Sequence, residues 1–150
     1  MSCRSGEKLA GNWSAPAVYS MGGASVGLQA GASSTDFVLL VMNEKGVDAV
    51  LADKTKLGSD ATAAAGPSGA TAASSSVGGA DVLTYGRAKG LFAGVSLEGA
   101  ILHQDNDANK RLYGKAISAR EIVRGNAVKT PVSGHDLISL LDDKAPRHRE

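Results

Sequence analysis

The chain has 150 residues and a formal net charge of +1, with 24 alanines, 19 glycines and 16 serines. A single cysteine excludes an internal disulfide framework, and the near-neutral balance excludes a strongly basic nucleic-acid arm or an acidic tail. Low net charge also argues against wholesale disorder, so the expected unit is one domain over residues 1–145 with a short tail at 146–150, its core built from small side chains.

Ser25 to Ala32 alternates strictly and predicts a half-buried strand, with Val26, Leu28, Ala30 and Ala32 on one face. Thr35 to Met42 is apolar and rich in β-formers, which predicts a central strand covered on both faces. Its run of apolar residues is far shorter than the ~20 a membrane span needs. The N-terminal residues Met1 to Lys8 carry no apolar signal-peptide core. Asn43 then reads as a helix N-cap, with Glu44 in the first turn and Val47, Val50 and Leu51 as the apolar stripe. Gly46 weakens that short helix.

Ser59 to Gly66 is an alanine-rich strand candidate ending in the turn signal Gly66-Pro67-Ser68-Gly69. Ser74 to Gly79 reads as a loop or weak strand. Asp81 to Lys89 is extended, and Gly90 opens a long strand to Leu102, the two forming an antiparallel hairpin that turns near Ala88–Gly90. In the second strand Leu91, Ala93, Val95, Leu97 and Ile101 share a face.

Beyond Leu102 the period becomes helical. Asp105 or Asn106 caps a helix to about Tyr113, with Gly114 just past its end. Ser118 and Glu121 form a capping box for a second helix ending at Gly125. Asp136 to Lys144 is a third, with Leu137, Ile138, Leu140 and Leu141 as its apolar side. Lys110, Arg111, Lys115, Arg120, Arg124 and Lys129 make the one basic cluster, which reads as a solvated helix surface before an anion site. Trp13 reads as a core plug.

The chemical motifs fail on inspection. Asp105-Asn106-Asp107-Ala108-Asn109 starts like a calcium loop, but Lys110 stands where glycine is required and Ala116 where glutamate is. Gly94-Val95-Ser96-Leu97-Glu98-Gly99 approaches a nucleophile elbow, yet Glu98 replaces the second glycine and no helix follows. A hydrolase using Ser96 and Glu98 is therefore a distant reading. Gly22-Gly23-Ala24-Ser25-Val26-Gly27 lacks the lysine and the helix of a phosphate loop. His103, His135, His148 and Cys3 have no metal-ligand spacing. No catalytic residue, metal site or cofactor is expected. Six scattered aromatics give no base-stacking platform, and so no nucleic-acid partner. Lys54 and Lys56, with Arg87 and Lys89 at the hairpin, are expected at ends of the sheet, where they could meet phosphate or simply keep the surface soluble.

Three strings carry a resemblance: Trp13-Ser14-Ala15-Pro16-Ala17 with Gly27-Leu28-Gln29; Thr35 to Asn43; and Tyr85-Gly86-Arg87-Ala88-Lys89-Gly90-Leu91-Phe92-Ala93-Gly94-Val95-Ser96-Leu97-Glu98-Gly99. With Asp105 to Asn109 and Leu112-Tyr113-Gly114, they resemble the SYLF domain family over about residues 3–125. Gly86 and Lys89 stand where that family more often has Ser and Arg. The resemblance implies an α+β fold with a mainly antiparallel, barrel-like sheet and short flanking helices. It implies binding without catalysis. Eukaryotic members bind phosphoinositide membranes, yeast members also bind actin filaments, and bacterial members are exported or lipid-associated. The resemblance also implies that this chain starts partway into the domain, lacking an N-terminal helical segment. The leading expectation is thus an anionic-lipid-binding module using Lys54, Lys56, Arg87 and Lys89. The alternative is a structural or protein-interaction domain, actin-binding-like or self-associating through an exposed sheet edge.

Overall fold

The computed structural model describes residues 1, 13–23, 36–67, 79–88, 90–125 and 127–145. The expected strand at 25–32, the segment 74–78, Lys89, Cys3 and the tail 146–150 lie outside them. The chain groups into two compact units, Ser20–His103 and Met1–Tyr19 with Gln104–Glu150.

The first of these units holds the sheets, all but the end residues Tyr19 and Gln104 of their strands. In chain order it contains β1 (Tyr19–Gly22), β2 (Phe37–Val41), α1 (Glu44–Val50), β3 (Lys54–Lys56), β4 (Ala63–Ala65), β5 (Val82–Ala88), β6 (Leu91–Gly94) and β7 (Ile101–Gln104). They form two sheets instead of one. A three-stranded sheet runs β1-β7-β3, and a four-stranded sheet runs β2-β5-β4 with β6 also on β5. Among the described residues the strands close no barrel. Most pairs are antiparallel, but β4 joins β5 in parallel.

The expected hairpin is present, with Ala88 opposite Leu91. The expected long second strand is not. It stops at Gly94, crosses a turn at Glu98-Gly99, and resumes as β7 in the other sheet. Gly99 adopts φ +90°, a conformation that side-chain-bearing residues resist. Leu97 is buried at this crossing, whereas Leu91 and Ala93 are exposed, so the alternating apolar face is not one buried face. β2 also departs from expectation. It pairs with β5 on one side, and Val38 (41%), Leu40 (44%) and Met42 remain exposed on one face. Its uniform hydrophobicity therefore does not report burial on both faces.

Asn43 caps α1 as expected, its Oδ1 accepting from the Gly46 N–H at 2.7 Å. Gly46 has a packing role beyond its low propensity. A Cβ there would lie 2.8 Å from the Asp81 carbonyl oxygen and 3.0 Å from Val41 Cγ1. The helix thus rests directly on the sheet ends through Val47, Val50 and Leu51, all buried.

Asp81 ties these parts together and is only 4% exposed. Its carboxylate accepts from the Thr62 backbone N–H at 3.0 Å and from Asn43 Nδ2 at 2.9 Å. Its backbone N–H donates to Thr62 Oγ1, and its carbonyl accepts from the Met42 N–H. The Thr62 N–H, then the Asn43 amide, hold the carboxyl below the usual aspartate range. A depressed folded value means the stabilisation is complete above the unfolded pKa, about 3.9, and is lost as pH falls through the folded one. Melting temperature followed by circular dichroism from pH 7 to pH 2 should therefore drop below about pH 4. Asp81→Asn should melt lower at pH 7 and lose part of that acid-induced drop. An identical acid slope in the variant would remove Asp81 from the account.

The second unit is helical. It holds α2 (Asn106–Tyr113), α3 (Ala119–Val123), a 3-10 turn (Val132–Gly134) and α4 (His135–Lys144). Asp105 Oδ1 caps α2 through the Ala108 N–H at 2.9 Å, and Gly114 closes it. Ser118 caps α3 as expected, its Oγ accepting from the Glu121 N–H at 3.2 Å, but Glu121 Oε1 accepts from that same hydroxyl at 3.2 Å and not from the Ser118 backbone N–H of a full capping box. Ala15, Ala17, Ile117, Ala119, Ile122 and Val123 are buried in this unit. Asn109 anchors the extended segment before β1 to α2. Its Oδ1 accepts from Val18 N–H at 2.7 Å and its Nδ2 donates to Val18 O at 3.2 Å. Tyr113 donates its hydroxyl to Pro16 O, and burial raises its pKa. α4 departs from expectation, since none of its residues is buried.

Candidate functional site

The expected cationic residues are divided by the fold. β3 is a short outer strand of the three-stranded sheet, and its middle residue, Thr55, points inward with no exposed surface. The Thr55 hydroxyl donates to the Ala49 carbonyl, which fixes the strand against α1. Alternation then turns Lys54 and Lys56 outward, and both are exposed. The antiparallel register sets His103 opposite Lys54 and Ile101 opposite Lys56, while Leu102, opposite Thr55, is buried. Directly opposed residues have Cβ atoms about 5 Å apart. One outward face thus carries Lys54, Lys56 and His103 together. Asp60 borders it, its Oδ2 accepting from the Lys56 backbone N–H at 2.8 Å.

His103 was missed by sequence reasoning. The expected apolar face held Ile101, and alternation would have set His103 on it too; the structure instead buries Leu102 and turns His103 outward, and nothing local in the sequence showed that β3 lies beside it. The lysines also have a plain structural use. Charged residues on an outer strand discourage pairing with another chain.

Arg87 is elsewhere, on β5 of the four-stranded sheet opposite Phe92. Its guanidinium is 3.8 Å from the Asp36 carboxylate, and both side chains are exposed. Such a pair contributes little to stability and offsets much of the positive charge. Lys89 lies outside the described residues. The structure therefore joins Lys54 and Lys56, adds His103, and separates Arg87 from them.

The weaker motifs gain nothing. Ser96 and Glu98 are both exposed, and Glu98 lies across Gly58, where a Cβ would be 2.6 Å from its Cγ. Among the described residues no group of three His, Cys, Asp or Glu side chains could hold a metal, and no helix is long and apolar enough to cross a membrane.

Residues 22–144 match the Ysc84 family, described as "Las17-binding protein actin regulator". The chain belongs to this family, the SYLF family of the resemblance above. It is 38% identical over 140 residues to Protein YSC84 of Saccharomyces cerevisiae, covering 90% of this chain and 30% of that protein. It is 41% identical over 140 residues to SH3 domain-containing protein PJ696.02 of Schizosaccharomyces pombe, covering 89% of the chain and 32% of the relative. It is 35% identical over 138 residues to SH3 domain-containing YSC84-like protein 1 of Homo sapiens, covering 88% and 39%. The Ysc84-family chain thus spans about a third of the length of these relatives. No solved structure matches it at a significant level. The family description names a binding regulator and no enzymatic reaction.

Proposed function

We infer that residues 1–145 act together as a non-enzymatic protein-interaction module whose partner belongs to the actin machinery. The family match over residues 22–144 carries this reading, through a description that names Las17 binding and actin regulation. The outward face that sets Lys54 and Lys56 beside His103 supports it, because exposed ammonium groups recognise an acidic protein surface and steer its approach.

The same face favours a second reading, anionic phospholipid or phosphoinositide headgroups at a membrane surface. Arg87 and Lys89 would belong to that reading as further headgroup contacts. A lysine near an anionic bilayer contributes about 1 kcal/mol, so neutralising two weakens binding roughly 30-fold.

Two sedimentation assays on the whole chain separate the readings. Co-pelleting with actin filaments, without lipid and at low salt, supports the protein-partner reading. Flotation with phosphatidylserine vesicles supports the lipid reading, provided that Lys54→Gln/Lys56→Gln lowers affinity roughly 30-fold and flattens the salt dependence. Vesicle binding without filament binding would replace the first reading with the second. Binding to neither would leave Lys54 and Lys56 as edge-protecting residues and overturn both.

A further inference from the structure

The His103 imidazole stands directly opposite Lys54 across the β3–β7 pair, and Lys56 lies diagonally from it, within reach of a long side chain. All three residues are exposed. Among the described residues neither ammonium group is held in an ion pair, and the His103 ring makes no hydrogen bond. Asp60 borders the face, but its Oδ2 is engaged by the Lys56 backbone N–H and not by the ammonium. Arg87, by contrast, already faces Asp36. The face of Lys54, Lys56 and His103 therefore keeps its charge for a ligand.

Few other charges surround the imidazole. β1, on the other flank of β7, reads Tyr-Ser-Met-Gly and brings no group that ionises between pH 5 and 8. From β3 come Lys54 and Lys56, with Asp53 exposed just before the strand. α1, with Glu44, Lys45 and Asp48, meets β3 through Thr55, on the side opposite the lysines. Along β7 itself, Asp105 lies two residues on and accepts from the Ala108 N–H of α2. Imidazole is the side chain that changes charge between pH 5 and 8. Near neutrality the two lysines carry the charge of the face, and acidification sets a third cation beside Lys54. A carboxylate docked over Lys54 favours the protonated ring, and by linkage the protonated ring favours the carboxylate.

We propose that His103 makes the hold of this face on an acidic protein surface proton-dependent, tightening it as the pH falls from 8 to 5.5. The proposal rests on the protein-partner reading for its occupant and adds to it the residue that regulates the contact.

The test uses the whole chain and a fluorescently labelled peptide of alternating glutamate and glycine, read by anisotropy at low salt. Its carboxylates stay ionised over this range. The chain should bind the peptide about two- to fivefold more tightly at pH 5.5 than at pH 8, the size of one exposed charge pair. His103→Gln should bind equally at the two pH values. His103→Lys should also lose the pH dependence, but with the tighter affinity at both. His135→Gln removes an exposed imidazole from the other unit and should keep the dependence of the parent. His103 is exposed, so its variants should keep the parent circular dichroism spectrum at both pH values. Affinity that does not change with pH, or a dependence that survives in His103→Gln, overturns the proposal and leaves the protein-partner reading standing. Equal flattening by His135→Gln would reduce the effect to net charge and overturn it too. No binding at either pH would overturn the recognition of acidic groups itself, whatever the filament assay shows. The same pH profile on phosphatidylserine vesicles, without peptide binding, would overturn the assignment to a protein surface in favour of a lipid headgroup.

Discussion

Asn109→Ala should destabilise the chain by about 2–3 kcal/mol, the sum of a buried backbone donor left unpaired and a small cavity. Asn109 has no exposed surface, though Asn106, Asp107, Lys110 and Arg111 of the same helix are exposed. Its amide completes the backbone of Val18 from the side, oxygen toward the N–H and nitrogen toward the carbonyl. The Val18 carbonyl keeps a second donor, the Asp105 N–H at 2.9 Å, so the truncation strands chiefly the Val18 N–H. Asn109→Asp should do no better. It keeps the acceptor but sets an oxygen against Val18 O and places a charge in the interior. Urea unfolding should show a midpoint lower by about 1–2 M with little change in slope. A midpoint within a few tenths of a molar of the parent would show that the amide is dispensable.

Gly94→Ala should be at least as damaging, about 3 kcal/mol, because its new methyl group meets backbone and not a movable side chain. A Cβ at Gly94 would lie 2.0 Å from the Gly66 carbonyl oxygen. The crowding has a clear origin. β4 and β6 both lie along β5, and they converge on one residue, Thr84. The Thr84 carbonyl accepts from the Gly66 N–H at 2.9 Å and from the Val95 N–H at 3.2 Å, while its hydroxyl reaches the Ala64 and Val95 carbonyls. Two strand ends can share one carbonyl only if neither has bulk at the meeting point. Gly22→Ala is the control, because a Cβ there meets nothing within 4 Å. Thermal melts should show a large loss for Gly94→Ala and little change for Gly22→Ala. Equal losses would mean that glycine is used at both positions for chain flexibility alone.

What the sequence revealed was local. Asn43, Asp105 and Ser118 each marked a helix start because a cap acts across three residues. The β5–β6 hairpin was legible because its strands are joined through Lys89 and Gly90 alone. What it concealed was partner choice. Leu91 to Leu102 keeps a strand-like alternation straight through the point where the chain leaves one sheet for the other, since alternation records a pleat and not a neighbour. β2 reads as a fully buried strand from its hydrophobicity, yet its exposure depends on what lies over it. The candidate site shows the same division. The sequence reading set Lys54 and Lys56 at an end of the sheet but read no strand through them, and His103 joins them only through the β3–β7 register.

β5 pairs with three other strands, and those pairings differ widely in the length of chain they must close. The hairpin with β6 closes a tight turn and can form on the microsecond scale of isolated hairpins. The pairing with β2 must bring Val41 to Val82 and close the long intervening stretch first. Assembly of the four-stranded sheet is therefore ordered in time, with β5–β6 as the early template and β2 as the late addition. During that interval the flank of β5 that will hold β2 stands open, and β2 itself, Phe-Val-Leu-Leu-Val, travels as an uncharged apolar strand. The hazard for this chain during synthesis is thus capture of β5 by the β2 of another molecule, an exchange that reproduces every native contact between two copies.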